Sequence, residues 1–248
     1  MSKLSLSFIS GMNERVEPLF DGSVTVEGVE LIATRSDPSE TFWRQLTFQE
    51  FEIAEMSLSS YLIARSRGMD MIAIPVFLSR RFMHMELSYH VNSGIKDAGD
   101  LAGKRVGIGE YQQTASLWLR GVRLFPDVIA EGTRFFKKHG YIPANHAYVI
   151  RGDMDRKYPW LAFNLFKAFV AARELAQDKL PGRIPSGLIF GSEYLRMTKS
   201  SFGEDPYPYG LSANREMLQT IVDYSVEQGL TKEKQRLVEL FAPSTLEL

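Results

Sequence analysis

The apolar run Ile74-Pro-Val-Phe-Leu78 passes without a break into Ser79, Arg80, Arg81 and His84. Its length and β-branched content predict a buried strand over Met71 to Leu78, the central strand of an α/β domain. Strong hydrogen-bond donors then stand where that strand surfaces. In open α/β sheets ligands bind in the crevice beyond the carboxyl ends of the strands, so an anion receptor is expected there. The competing reading is two solvated arginines and a surface histidine on a connecting loop, and the segment alone leaves both open.

Other strands and helices flank this one. Leu4, Leu6 and Phe8 alternate with polar residues as a half-buried strand, and Val24 to Ile32 reads as a short extended pair around Gly28. Asp37-Pro-Ser-Glu40 supplies cap, proline and early acid for a helix carrying Phe42, Trp43 and Leu46 inward. Phe51 to Met56 is a further strand, running into Ser57 and Ser59 at the start of a helix closed by Gly68. Free backbone amides at such a start can seat an anion, or Ser57 and Ser59 simply cap the helix.

Beyond Val91 the pattern begins afresh, which places a hinge near residues 91–96. Leu101 to Gly109 is expected as a strand and Gln112 to Val122 as a helix. Gly107 and Gly109 lack the third glycine of a dinucleotide fingerprint, so no nucleotide site is read there. Val128 to His139 forms an amphipathic helix through Ile129, Phe135 and Phe136, and Ala147 to Ile150 is a strand returning through the hinge. Tyr158 to Lys179 makes the longest helix, with Trp160, Phe163, Phe166, Phe169 and Val170 on its core face. The loop Asp205-Pro-Tyr-Pro-Tyr-Gly210 holds Tyr207 and Tyr209 on a stiff backbone, suited to stacking on an aromatic ligand or to packing on the sheet. A helix ending at Gly229 and a docking tail, Leu240 to Leu246, complete the chain.

Composition narrows the function. With 29 basic and 30 acidic residues the formal net charge is −1, so no global field steers the chain to nucleic acid or to an anionic membrane. No cysteine is present, which removes disulfides, thiolate metal sites and cysteine nucleophiles. The four histidines, His84, His90, His139 and His146, are scattered, no Asp, Glu or His grouping has metal spacing, and no P-loop or nucleophile elbow occurs. No cofactor is called for. The N-terminus alternates like a strand and lacks an apolar signal core, so the chain is read as cytoplasmic, and no run approaches membrane-span length. Arg15, Ser57, Ser59, Arg80, Arg81 and His84 fall at strand ends of a first lobe, and Gln112, Thr114 and His146 on or near a second. Donors converging across a hinge on a small acid describe a two-lobed binding cleft.

Several segments carry a resemblance: Asp21-Gly22 with Glu27 to Leu31, Ser79 to His84, Asp100 to Ile108, Gln113 to Gly121, Leu124-Phe-Pro-Asp127, Asp205 to Gly210, and the Phe241-Ala-Pro-Ser-Thr tail. Together they resemble the 4,5-dihydroxyphthalate decarboxylase family nearly end to end. The resemblance implies an α/β, two-lobed fold like the type 2 periplasmic binding proteins, with lobe 1 from 1–92 and 147–248 and lobe 2 from 93–146. Family members carry several tens of residues between the helix ending at Arg120-Gly121 and Leu-Phe-Pro-Asp, whereas here Val122-Arg123 joins them directly. The second lobe is therefore abbreviated, close to the size at which a core becomes marginal.

The activity implied is non-oxidative decarboxylation of a hydroxylated aromatic acid such as 4,5-dihydroxyphthalate, giving a catechol acid (protocatechuate) and CO₂, without cofactor or metal. A cleft for that chemistry clamps the dianion, excludes water and offers a proton at the carbon bearing the carboxylate. Arg80 and Arg81 are the expected clamp and Arg15 the holder of the second carboxylate. His84 is the first candidate for general acid, since two neighbouring arginines ease its proton release, and His146 the second. Ser57, Ser59, Gln112, Thr114, Tyr207 and Tyr209 complete the expected substrate site. The alternative is a solute-binding protein for small carboxylates without chemistry, and a third reading is an inactive remnant. The partner in the first two is a small aromatic or aliphatic acid, with a homo-oligomer left open.

Overall fold

The computed structural model describes residues 3–83, 90, 92–96, 98–105, 114, 127–185 and 187–248. Among the described residues five strands, β1 (Leu4–Ser10), β2 (Val29–Arg35), β3 (Ile53–Ser57), β4 (Met71–Ile74) and β5 (His146–Arg151), form one sheet in the order β2-β1-β3-β5-β4. β1 runs parallel to β2 and β3, whereas β5 runs antiparallel to both β3 and β4. The chain thus leaves the sheet after β4 and re-enters it, reversed, between two strands laid down earlier.

The α-helices with bounds among the described residues are α1 (Glu17–Phe20), α2 (Pro38–Phe48), α3 (Leu58–Ser66), α4 (Val128–His139), α5 (Gly152–Lys157), α6 (Leu161–Lys179), α7 (Gly191–Phe202), α8 (Arg215–Glu227) and α9 (Leu237–Leu240). The expected signal at α2 operates as read: the Asp37 side chain accepts from the Ser39 amide at 2.8 Å and proline occupies the first turn. Asp127 caps α4 in the same way, accepting from the amides of Ile129 and Ala130.

Alternation along the strands sorts their side chains onto two cores. Ala54, Met56, Ala73, Ala147 and Val149 face α3 and α8, while Phe8, Ile53, Ile74, Tyr148 and Ile150 face α1 and α6. The tail closes the β4 edge. Ala242 donates its amide to Ala73 O at 2.8 Å, and Phe241 bridges Ala73 in parallel. Buried Tyr61 fastens this junction, its hydroxyl donating to Leu240 O and accepting from the Ala73 amide at 3.1 Å.

Several expectations are corrected. β4 spans only Met71–Ile74 and lies at the sheet edge; Val76, Phe77 and Leu78 are fully buried without strand pairing. The paired segment near Gly28 is confined to Val29–Arg35. Trp43, Ile129, Trp160 and Phe163 face outward. In α6 the core face is Leu161, Leu165 and Phe169 interleaved with Ala162, Ala168, Ala172 and Ala176, because small residues let the helix lie close on the sheet. Leu101 to Arg105 is not strand, and the remainder of the strand and helix expected over Val106 to Val122 lies outside the described residues, Thr114 excepted.

Replacing Tyr61 with Phe leaves the Ala73 amide and Leu240 carbonyl without their buried partner. The unfolding free energy is expected to fall by about 1–3 kcal/mol in urea titration, with an unchanged denaturant slope.

Candidate functional site

At the carboxyl ends of β1, β2 and β3 lies a hollow of about 530 Å³, lined by Gly11, Asn13, Arg35, Ser36, Asp37, Glu55, Leu78, Ser79 and His146 among others. Because β5 is reversed, its first residue reaches the same end of the sheet at which its neighbours finish. His146 stands opposite Ser57 in the β3–β5 register, and Glu55 stands opposite Tyr148. Glu55 and His146 are therefore diagonal neighbours on one face. His146 Nδ1 lies 2.7 Å from Glu55 Oε1.

Glu55 is 3% exposed. A carboxylate taken out of water persists only with donors around it, and three are present. The Gly11 amide donates to Oε2 at 2.8 Å and the Ser10 hydroxyl at 2.9 Å, with His146 on the other oxygen. Burial alone raises the Glu55 carboxyl, but the bond and charge from His146, with the Gly11 and Ser10 donors, outweigh it and hold the group below the usual carboxylate range. Ser10 Oγ also lies 2.6 Å from the Tyr148 hydroxyl, whose ionisation burial pushes far up. The Phe42 ring packs edge-on against the imidazole, centroids 4.9 Å apart.

The expected hydroxyls do converge. Thr114 Oγ1 lies 3.0 Å from Ser57 Oγ and 3.1 Å from Ser59 Oγ, accepts from the Ser59 amide at 3.1 Å, and donates to Asn145 O at 3.0 Å. The Leu58 and Ser60 amides are likewise bonded, to Asn145 O and Ser57 Oγ. These groups bind one another, tying Thr114 to the start of α3.

Arg15 and Arg80 gather elsewhere, beneath the Pro-Tyr-Pro-Tyr loop. Arg80, 7% exposed, donates to Pro208 O at 2.7 Å, Asn214 Oδ1 at 2.6 Å and Ile142 O at 3.2 Å, and burial lowers its guanidinium to about 10. Arg15 donates to Leu78 O at 2.7 Å and lies over the Tyr207 ring at 4.3 Å. Arg173, absent from the sequence expectations, lies over the Tyr209 ring at 4.7 Å and donates to Tyr207 O at 3.0 Å. Tyr209 is buried, and its backbone turns at Gly210, where φ is +96° and a Cβ would stand 3.0 Å from the Leu248 backbone. Arg81 is exposed, its amide bonded to Pro143 O. His84 and Gln112 lie outside the described residues.

Glu55 and Arg35 were missed by sequence reasoning. For Glu55 a signal existed, a carboxylate between Ala54 and Met56 in a strand otherwise apolar, which demands buried partners. Arg35, at the end of β2, is paired with Glu17 and lies over Phe20 at 4.7 Å. Among the described residues no three acidic or histidine side chains gather as metal ligands, and no helix is long and apolar enough to cross a membrane.

Comparison with known proteins bears on this frame. Over an alignment of 326 positions, spanning all of this chain and 99% of its relative, the chain is 26% identical to 4,5-dihydroxyphthalate decarboxylase of Comamonas testosteroni. Over 121 positions, 48% of this chain and 47% of the other, it is 44% identical to the Pseudomonas putida protein of the same name. The resemblance to the 4,5-dihydroxyphthalate decarboxylases holds. An alignment of 326 positions to a chain of 248 residues also leaves 78 positions without a counterpart here. No family model matches the chain. Among solved structures, the periplasmic aliphatic sulphonate binding protein of Escherichia coli superposes with a TM-score of 0.53 at 13% identity, covering 100% of both chains. A sulphonate-binding protein of Methylobacillus flagellatus gives 0.50 at 12%, covering 97% of this chain and 92% of that one. The fold is that of the periplasmic binding proteins.

Two measurements follow. Arg80→Ala is expected to lower stability by about 2 kcal/mol or more in chemical denaturation, since it removes one buried donor from each of Pro208 O, Asn214 Oδ1 and Ile142 O. Because the folded Glu55 carboxyl ionises below the usual range, the unfolded chain takes up that proton first as pH falls. Its stabilisation is complete above the ordinary carboxylate range and is lost as pH drops through the folded value. Between about pH 5 and pH 3 the melting temperature of the wild type should therefore fall more steeply than that of Glu55→Gln.

Proposed function

We propose that this chain is a carboxy-lyase that removes CO₂ from a hydroxylated aromatic acid of the 4,5-dihydroxyphthalate type, leaving a catechol acid. The observation that carries the reading is the similarity, along the whole chain, to a protein named for that activity. The cleft between lobe 1 (1–92 and 147–248) and a shortened lobe 2 (93–146) is proposed as the substrate site, entered from the hollow at the strand ends.

In such a reaction a proton adds to the ring carbon bearing the carboxylate, with electron density supplied by the hydroxyl para to it. The C–CO₂ bond then breaks and its electron pair restores the aromatic ring as CO₂ departs. One proton is consumed per turnover, so the protein has to supply a donor and recover a proton from solvent. His146 lines the hollow and is backed by a carboxylate, which suits it to that role. Arg35 is a cation of the same lining, and a substrate carboxylate would compete with Glu17 for it. Arg15 and Arg80 support the Tyr207–Tyr209 loop and are not part of the lining of the hollow.

A second reading, a receptor that holds a small acid without chemistry, is supported by the use of the same fold in the E. coli sulphonate-binding protein. Titration calorimetry beside a CO₂-release assay on 4,5-dihydroxyphthalate separates the two: binding without product selects the receptor. Under the decarboxylase reading His146→Ala should lower kcat by about 10²–10⁴-fold. Arg35→Ala should chiefly raise KM, by about 10- to 100-fold, matching one charge-assisted hydrogen bond. An unimpaired His146→Ala beside an inactive His84→Ala would move the proton donor to His84.

A further inference from the structure

With Glu55 ionised, the hydrogen bonds behind His146 fix which nitrogen of its ring faces the carboxylate with a hydrogen. An ionised carboxylate accepts and never donates, and the Gly11 amide on Glu55 Oε2 can only donate. Ser10 has a single hydroxyl proton, within reach of Glu55 Oε2 at 2.9 Å and of Gly11 O at 3.2 Å; given to the nearer, charged oxygen, it leaves the Ser10 oxygen to accept from the Tyr148 hydroxyl 2.6 Å away. On the other carboxylate oxygen, His146 Nδ1 must carry a hydrogen, whether the ring is neutral or charged. Nε2 has no partner among the described residues.

We propose that Glu55 is a positioning residue, holding His146 in the Nδ1–H tautomer so that Nε2 is the nitrogen that exchanges the reaction proton with the hollow. The cross-strand register explains the rigidity of this arrangement. Ser10, Glu55 and Tyr148 sit in one row across β1, β3 and β5, each on a strand fixed by backbone pairing. A ring flip of His146 would take Nδ1 off Glu55, leaving a buried carboxylate oxygen bare, and Phe42 packs against the ring. The row is also closed at its far end, since Tyr148 is fully buried. It orients the imidazole and provides no proton path through the sheet, so both the outgoing and the returning proton pass through Nε2.

The kinetic part of this proposal rests on the decarboxylase reading; the tautomer does not. On the ¹⁵N-labelled full chain, two-bond ¹H–¹⁵N correlation spectra assign the His146 ring, with His146→Ala identifying its signals. The wild type should show Nδ1 protonated, and Glu55→Gln should shift the ring toward the Nε2–H form. With 4,5-dihydroxyphthalate, Glu55→Gln should lower kcat by about 10- to 100-fold while KM stays within about threefold, and Glu55→Asp should recover part of the rate. An Nε2–H tautomer in the wild type overturns the proposal, as does a kcat for Glu55→Gln within twofold of wild type. Should Glu55→Gln fail to fold, the wild-type spectrum and the Glu55→Asp rate decide alone. A wild-type chain that releases no CO₂ defeats the decarboxylase reading, while the nitrogen shifts still uphold or overturn the assigned tautomer.

Discussion

The reversed insertion of β5 between β3 and β4 is the constraint from which the site follows. A parallel strand in that slot would begin at the opposite end of the sheet and carry His146 away from the hollow. Running antiparallel, β5 delivers its first residue to the end where β1 and β3 deliver their last, so Ser10, Glu55 and His146 meet although they are far apart in sequence. The chemistry available at the hollow is thus set by strand direction before any side chain is chosen.

The positive charges obey a different logic. Arginine is suited to clamping a dianion, but a guanidinium is equally suited to satisfying buried carbonyls, and Arg80 does the latter. Arg15, Arg80 and Arg173 together hold a loop whose two prolines leave it few backbone donors of its own. What they determine is the placement of Tyr207 and Tyr209. The hydroxyls of Ser57, Ser59 and Thr114 likewise spend their bonds locally, and their effect is to fix the start of α3 beside the hollow.

Much of the fold was legible because its signals are local. The Asp37-Pro-Ser-Glu start of α2, the Gly140 stop of α4 and the strand at Ala147 to Ile150 each depend on a few consecutive residues and stand as read. What failed depended on distance. Aromatic residues at helical spacing suggested the core face of α6, but its closeness to the sheet selected alanines there and turned Trp160 and Phe163 outward. At the site, the donors were noticed and the acceptor was not. His146 was identified from its place after the hinge, whereas the partner that gives it a defined orientation is 91 residues earlier in the chain. A search for buried charge inside apolar strands would have found Glu55.

The two margins of the sheet are unequal. Along β4 the Phe241–Ala242 segment occupies the backbone groups that a foreign strand would use, and Tyr61 secures it. β2 at the other margin has no such cover among the described residues, and Ile32 there is 60% exposed. The charged side chains of Glu30 and Arg35 on the same strand make it an unwelcoming template for edge-to-edge stacking. If strand exchange or fibrous self-association ever afflicts this molecule, β2 is the margin at which it begins, and neutralising those two charges is the change that invites it.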